Sequence, residues 1–163
     1  MKRNRRSFLK GGASTVIAAP FVSRISWGKV SPMQRVQHAA VGIGGMGRHD
    51  VKSLTSHEAL TLVAATDVDT RHQERLKGAG HDVPMYLDWR EMFSKEEFDS
   101  VSVSTPDHLH GIIGLSALRM GKHVYGQKPV AKRIRECRQM TEAARETGVV
   151  TQMGNQLASS LQE

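Results

Sequence analysis

The strongest constraint on the fold is a glycine-spaced turn, Gly42-x-Gly44-x-x-Gly47, set between two periodic segments. The run Val36 to Val41 before it is short and mostly apolar, as a buried strand is. The segment after it has helical spacing, with Val51 and Leu54 on one face. A turn of this pattern between a strand and a helix leads an α/β unit. Gly42 allows a tight turn, Gly44 leaves the backbone bare, and Gly47 lets the helix lie close to the strand. Such a turn cradles a diphosphate on free N–H groups at the positive end of the helix. The alternative is a glycine-rich turn with no ligand. The unit predicts an acidic residue about 20 positions on, at the end of the next strand. Asp67 stands there, twenty residues past Gly47 and directly after Leu60 to Thr66. Its carboxylate would accept hydrogen bonds from the ribose hydroxyls of a dinucleotide and repel a 2′-phosphate, so NAD is expected and NADP is the alternative. Arg48 and Arg71 bear on that preference, because both are near in sequence.

The remainder of the chain repeats the alternation. Asp69 to Ala79 is helix-prone, Met85 to Leu87 a short strand and Trp89 to Phe93 a short helix. Val101 to Ser104 is a strand stopped by Pro106, and Leu109 to Met120 a helix ended by Gly121. His123 to Tyr125, Ile134 to Thr147 and Val149 to Met153 read as strand, helix and strand. Six strands alternating with helices predict a doubly wound parallel sheet, a Rossmann fold of order 3-2-1-4-5-6, over residues 35–156.

Charge and cysteine content exclude other classes. The net charge is +7, but Lys2, Arg3, Arg5, Arg6, Lys10 and Arg24 supply six of those charges, and no acid lies before residue 29. The remaining chain is almost neutral, so a nucleic-acid partner is not expected. One cysteine, Cys137, allows no intrachain disulfide. No segment approaches the roughly 20 apolar residues of a transmembrane helix. Asn4-Arg5-Arg6-Ser7-Phe8-Leu9-Lys10 resembles the twin-arginine export signal, with Asn4 departing from its usual Ser or Thr. A mildly apolar stretch, Gly11 to Ala19, follows. Residues 1–34 are therefore expected to be a twin-arginine signal and linker, with the translocation machinery as partner and a periplasmic or exported location.

Two further stretches complete a family pattern: Ser104-Thr105-Pro106-Asp107-His108-Leu109-His110, and Gly121-Lys122-His123-Val124-Tyr125-Gly126-Gln127-Lys128-Pro129. With the glycine turn, the chain over about residues 35 to 156 resembles the N-terminal dinucleotide-binding domain of the Gfo/Idh/MocA oxidoreductases, which include an exported twin-arginine subgroup. The resemblance implies hydride transfer between NAD(P) and a sugar or polyol hydroxyl. It implies cofactor contacts at Gly42, Gly44, Gly45, Met46, Gly47, Asp67, Ser104, Thr105, Pro106, His110, Gln127, Lys128 and Pro129. Lys128 is the implied catalytic residue, a partly buried amine beside the nicotinamide that assists proton transfer. The family has glutamate where Gln127 stands; the amide can still hydrogen-bond ribose but does not offset the lysine's charge. Asn155 and Gln156 are implied substrate contacts.

A His108-x-His110 pair is not expected to hold a metal, because residues two apart on a helix point away from each other. Met120 and Met140 fit core positions, Trp89 packs the third helix, and His72 is expected on the surface or in packing. The family's second, α+β domain carries the substrate pocket, an Asp/His motif and most of the oligomer interface. The sequence ends at Glu163 without them. Residues 157–163 are expected to begin that domain, a fragment or truncated product is expected, and a homo-oligomer is expected only where the second domain exists. Two other functions stay open. One is a redox-neutral glycoside hydrolase of the same family, which oxidises a sugar transiently, eliminates the aglycone and restores the cofactor. The other is a non-catalytic dinucleotide-binding remnant.

Overall fold

The computed structural model describes residues 35–155. The expected signal and linker, Gln156, and the expected start of a further domain lie outside the described residues. The chain alternates strictly, and the elements are β1 (Val36–Val41), α1 (Gly45–Thr55), β2 (Leu60–Thr66), α2 (Thr70–Gly78), β3 (Met85–Tyr86), α3 (Trp89–Lys95), β4 (Ser100–Val103), α4 (Asp107–Arg119), β5 (His123–Gln127), α5 (Ile134–Thr147) and β6 (Thr151–Gly154). All strands are parallel, in the order β3-β2-β1-β4-β5-β6 expected of the doubly wound fold. The outer strands are short, two residues in β3 and four in β6.

Small central residues keep both faces close to their helices. Ala39, Ala40, Ala64 and Ala65 are fully buried. Ala40 and Ala65 join Ile43, Val51, Leu62 and Leu76 beneath α1 and α2. Ala39 and Ala64 join Phe98, Ile113, Leu118 and Met140 in the larger core beneath α3, α4 and α5. Each parallel strand buries both faces, which is why the strands read as apolar runs. Met140 is in the core as expected, whereas Met120 is 45% exposed, because α4 ends one residue earlier and Met120 is its C-cap. Cys137 packs partly buried against the same core.

One strand residue breaks the apolar pattern. His38 on β1 is 2% exposed, with Nδ1 2.8 Å from the Ser100 hydroxyl on paired β4 and Nε2 buried without a partner among the described residues. Burial pushes its pKa down from 6.5 to about 4. Between those values the unfolded chain binds a proton that the folded chain refuses, so stability falls as pH drops through this window. The full effect is roughly 3 kcal/mol. Urea unfolding from pH 7 to pH 4 is expected to show this loss, and His38→Gln to flatten it; an unchanged slope in the variant would refute the assignment.

Candidate dinucleotide-binding site

The strand order reverses between β1 and β4, and a crevice opens outside their carboxyl ends, where ligands bind in open α/β sheets. An open cleft of about 450 Å3 lies there, lined by the glycine turn, the segment after β2, Leu87, Trp89 and Ser104 to Pro106. Gly42 holds φ +80°, and a Cβ on it would come within 2.7 Å of the Ser104 carbonyl oxygen. A Cβ on Gly47 would overlap the Gly42 carbonyl oxygen and reach 3.0 Å from Ser104 Cβ. Gly47 is thus buried beneath the turn, whereas Gly42, Gly44, Gly45 and Met46 line the cleft. Gly44 is the N-cap of α1; among the described residues no side chain caps that end, and its first turn holds no acid. Free N–H groups and the helix dipole at that end favour an anion.

Asp67 lines the cleft and makes contacts that the sequence did not disclose. Its Oδ2 accepts from the Ile43 and Gly44 N–H groups at 2.9 and 3.1 Å, and Oδ1 accepts from the Asp69 N–H at 2.9 Å. The carboxylate thus braces the turn it serves. His72, expected in a surface or packing role, lies against the bare Cα of Gly44, with Nδ1 3.2 Å from Asp67 Oδ2. That contact is close but lacks hydrogen-bond alignment. The ring occupies the space a side chain at 44 would need. Asp69 caps α2 by accepting from the Arg71 N–H, and it also holds the Arg71 guanidinium at 2.6 Å. Those hydrogen bonds hold the Asp69 carboxyl well below the usual carboxylate range. Arg71 is thereby occupied by a neighbouring carboxylate. Arg48 lines, with His72 and Arg75, a smaller hollow that adjoins the cleft at Gly44, Gly45 and His72. Trp89 stacks edge-on against Phe93, 5.2 Å between centroids, and also forms part of the cleft wall with Leu87.

The predicted residues beyond β4 divide into two groups. Ser104, Thr105 and Pro106 line the cleft. The Thr105 hydroxyl is buried with no partner among the described residues. His110 and Gln127, expected at the cofactor, are buried behind the wall. His110 spans two carbonyl oxygens, Nε2 to Thr105 O at 2.6 Å and Nδ1 to Pro129 O at 2.7 Å. A neutral ring donates to one of them and a doubly protonated ring to both. His110 thus ties the Thr105 loop to the segment after β5. His108 is exposed, so the two histidines do not converge. Among the described residues no group of three or more His, Cys, Asp or Glu could hold a metal. Gln127 donates through Nε2 to both oxygens of Asp50, each at 3.0 Å. Lys128 and Pro129 follow β5 across a cis peptide bond, and both are exposed. Among the described residues nothing covers Lys128. Asn155, exposed, follows β6 at the same carboxyl edge of the sheet.

A Rossmann crevice with an uncapped helix end, three close-packed glycines and an acid at the end of β2 defines a dinucleotide-binding domain. The sequence agrees with a family model described as "Oxidoreductase family, NAD-binding Rossmann fold" over residues 36–155. The chain therefore belongs to the Gfo/Idh/MocA oxidoreductase family. Among its relatives, a protein named glycosyl hydrolase family 109 protein 1 from Shewanella sp. (strain MR-4) is 28% identical over 149 residues, 85% of this chain and 32% of the relative. The 2,7-anhydro-N-acetylneuraminate hydratase of Mediterraneibacter gnavus is 29% identical over 123 residues, 76% of this chain and 32% of the relative. The WlbA dehydrogenase of Bordetella pertussis, solved in complex with NADH and UDP-GlcNAcA, shares the fold with a TM-score of 0.70 at 21% identity, over 77% of this chain and 38% of that one. The chain spans about a third of the length of these relatives.

Proposed function

We propose that this chain is the cofactor-holding part of an NAD-dependent oxidoreductase acting on a sugar or polyol hydroxyl. The observation that carries the reading is the uncapped α1 end beside Asp67 and three glycines whose Cβ positions are already filled by neighbouring atoms. These residues fit the cofactor. The α1 N–H groups would hold the diphosphate, Asp67 the adenosine ribose, and Leu87 and Trp89 the flat apolar surface of adenine. The unpartnered Thr105 hydroxyl provides a further polar group on the wall leading to β5. When bound, the nicotinamide supplies the hydride acceptor. Lys128 stands beyond β5 on the same carboxyl edge of the sheet and would take the proton of the hydroxyl being oxidised, as the family resemblance implies. Asp67, with Arg71 engaged by Asp69, favours NAD over NADP.

A redox-neutral glycoside hydrolase is a second reading, favoured by the relative named glycosyl hydrolase family 109 protein. The twin-arginine-like Asn4 to Lys10 supports an exported enzyme, with the cofactor loaded before passage. The test is titration of the chain with NADH, read by energy transfer from tryptophan to the dihydronicotinamide, with NADPH alongside. Saturable binding, tighter for NADH, is expected; no saturation with either would overturn the reading. In a longer form carrying a substrate domain, net NADH production from sugars supports the oxidoreductase, and glycoside release without net NADH supports the hydrolase.

A further inference from the structure

Asp50 is a buried acid that none of the roles above uses. It lies on the second turn of α1 and is 8% exposed. Its Oδ2 accepts from the Ser104 hydroxyl at 2.6 Å, and both its oxygens accept from Gln127 Nε2 at 3.0 Å. Its charge, after burial, also pushes the Tyr125 hydroxyl up on β5. Ser104 directly precedes the Thr105–Pro106 wall, and Gln127 directly precedes Lys128. One carboxylate thus joins the diphosphate-facing helix to the two strand ends along which the nicotinamide would lie.

We propose that Asp50 is a positioning residue for the nicotinamide half of the site: through Ser104 and Gln127 it sets the Thr105–Pro106 wall and the Lys128–Pro129 segment relative to α1. The proposal rests on the dinucleotide reading. It also accounts for the amide at 127. A glutamate there would set one buried carboxylate against another, and like charges at hydrogen-bond distance in a buried site are costly. The amide at 127 is a matched donor to the buried Asp50 carboxylate.

The diphosphate end has a brace of its own in Asp67, which holds the Ile43 and Gly44 N–H groups without touching Asp50, Ser104 or Gln127, so the two halves of the ligand can be read apart. ADP-ribose carries the adenosine and diphosphate but no nicotinamide. In Gln127→Glu, NADH affinity is expected to fall about tenfold while ADP-ribose affinity stays within about twofold. Asp50→Asn with Gln127→Glu restores one donor–acceptor match and is expected to recover NADH affinity to within about threefold of the parent. Asp50→Asn alone keeps an acceptor for Ser104 and loses the charge, so it serves where Gln127→Glu does not fold; its NADH affinity is expected to fall about threefold against constant ADP-ribose affinity. Equal losses for both ligands, no loss for either, or no recovery in the double variant overturns the clamp. A parent chain that binds neither ligand overturns the dinucleotide reading, and the clamp with it. A parent that binds both, with variants that move them together, overturns the clamp alone.

Discussion

Gly47→Ala is expected to lower NADH affinity on the order of 100-fold and to destabilise the fold by about 1–3 kcal/mol. The added methyl would meet the Gly42 carbonyl oxygen, which is backbone and cannot rotate away, and Ser104 Cβ behind it. Relief requires α1 to lift from the turn. The same N–H groups that would meet the diphosphate ride on that helix, so stability and binding fall together. The check is a thermal melt beside a titration with NADH. A variant that melts lower yet binds as the parent does would show that the helix end is not the anion site. Gly45→Ala is a useful contrast, because nothing lies within 4 Å of a Cβ there, although its φ of +46° still disfavours a side chain. Its loss is expected to be the smaller of the two.

Asp67→Ala should weaken NADH about 10- to 100-fold, through two losses that can be separated. The variant gives up the ribose acceptor, and it also strips the Ile43, Gly44 and Asp69 N–H groups of their shared carboxylate. Leaving partly buried donors unpaired costs roughly 1–3 kcal/mol each where water cannot reach them. Asp67→Asn separates the parts. An asparagine keeps one acceptor oxygen for the turn while removing the charge that repels a 2′-phosphate. Its NADH affinity is expected to drop less than the alanine's, and its NADPH affinity to rise relative to NADH. Competition titrations with both dinucleotides measure the ratio. An unchanged ratio would remove Asp67 from cofactor choice and leave it only the bracing role.

The brace that Asp67 makes is invisible in residue order. The bounds of β1, β2 and α5 match the observed ones because their apolar runs end on sharp signals: Gly42, Asp67 and Gly148. The sheet order followed from alternation alone. Strands β4 and β5 shifted by one or two residues, since pairing with neighbours rather than local composition decides where a ladder ends. The glycine turn was legible because each glycine answers a local demand. His72 was not, since its place depends on α2 folding back across Gly44. The contacts that Gln127 makes with Asp50, 77 residues away, and His110 with Thr105 and Pro129, 5 and 19 residues away, exist only once the chain has folded. Asp50 left no trace at all: a single acid in a polar helical stretch looks like a surface charge until the fold closes over it.

The brevity of β3 and β6 also limits how copies of the domain can meet. A sheet grows sideways only by offering a long run of unpaired main-chain groups to another chain. Among the described residues, neither flank of this sheet offers more than a few rungs. Edge-to-edge pairing of two copies through these described strands is thereby a poor route.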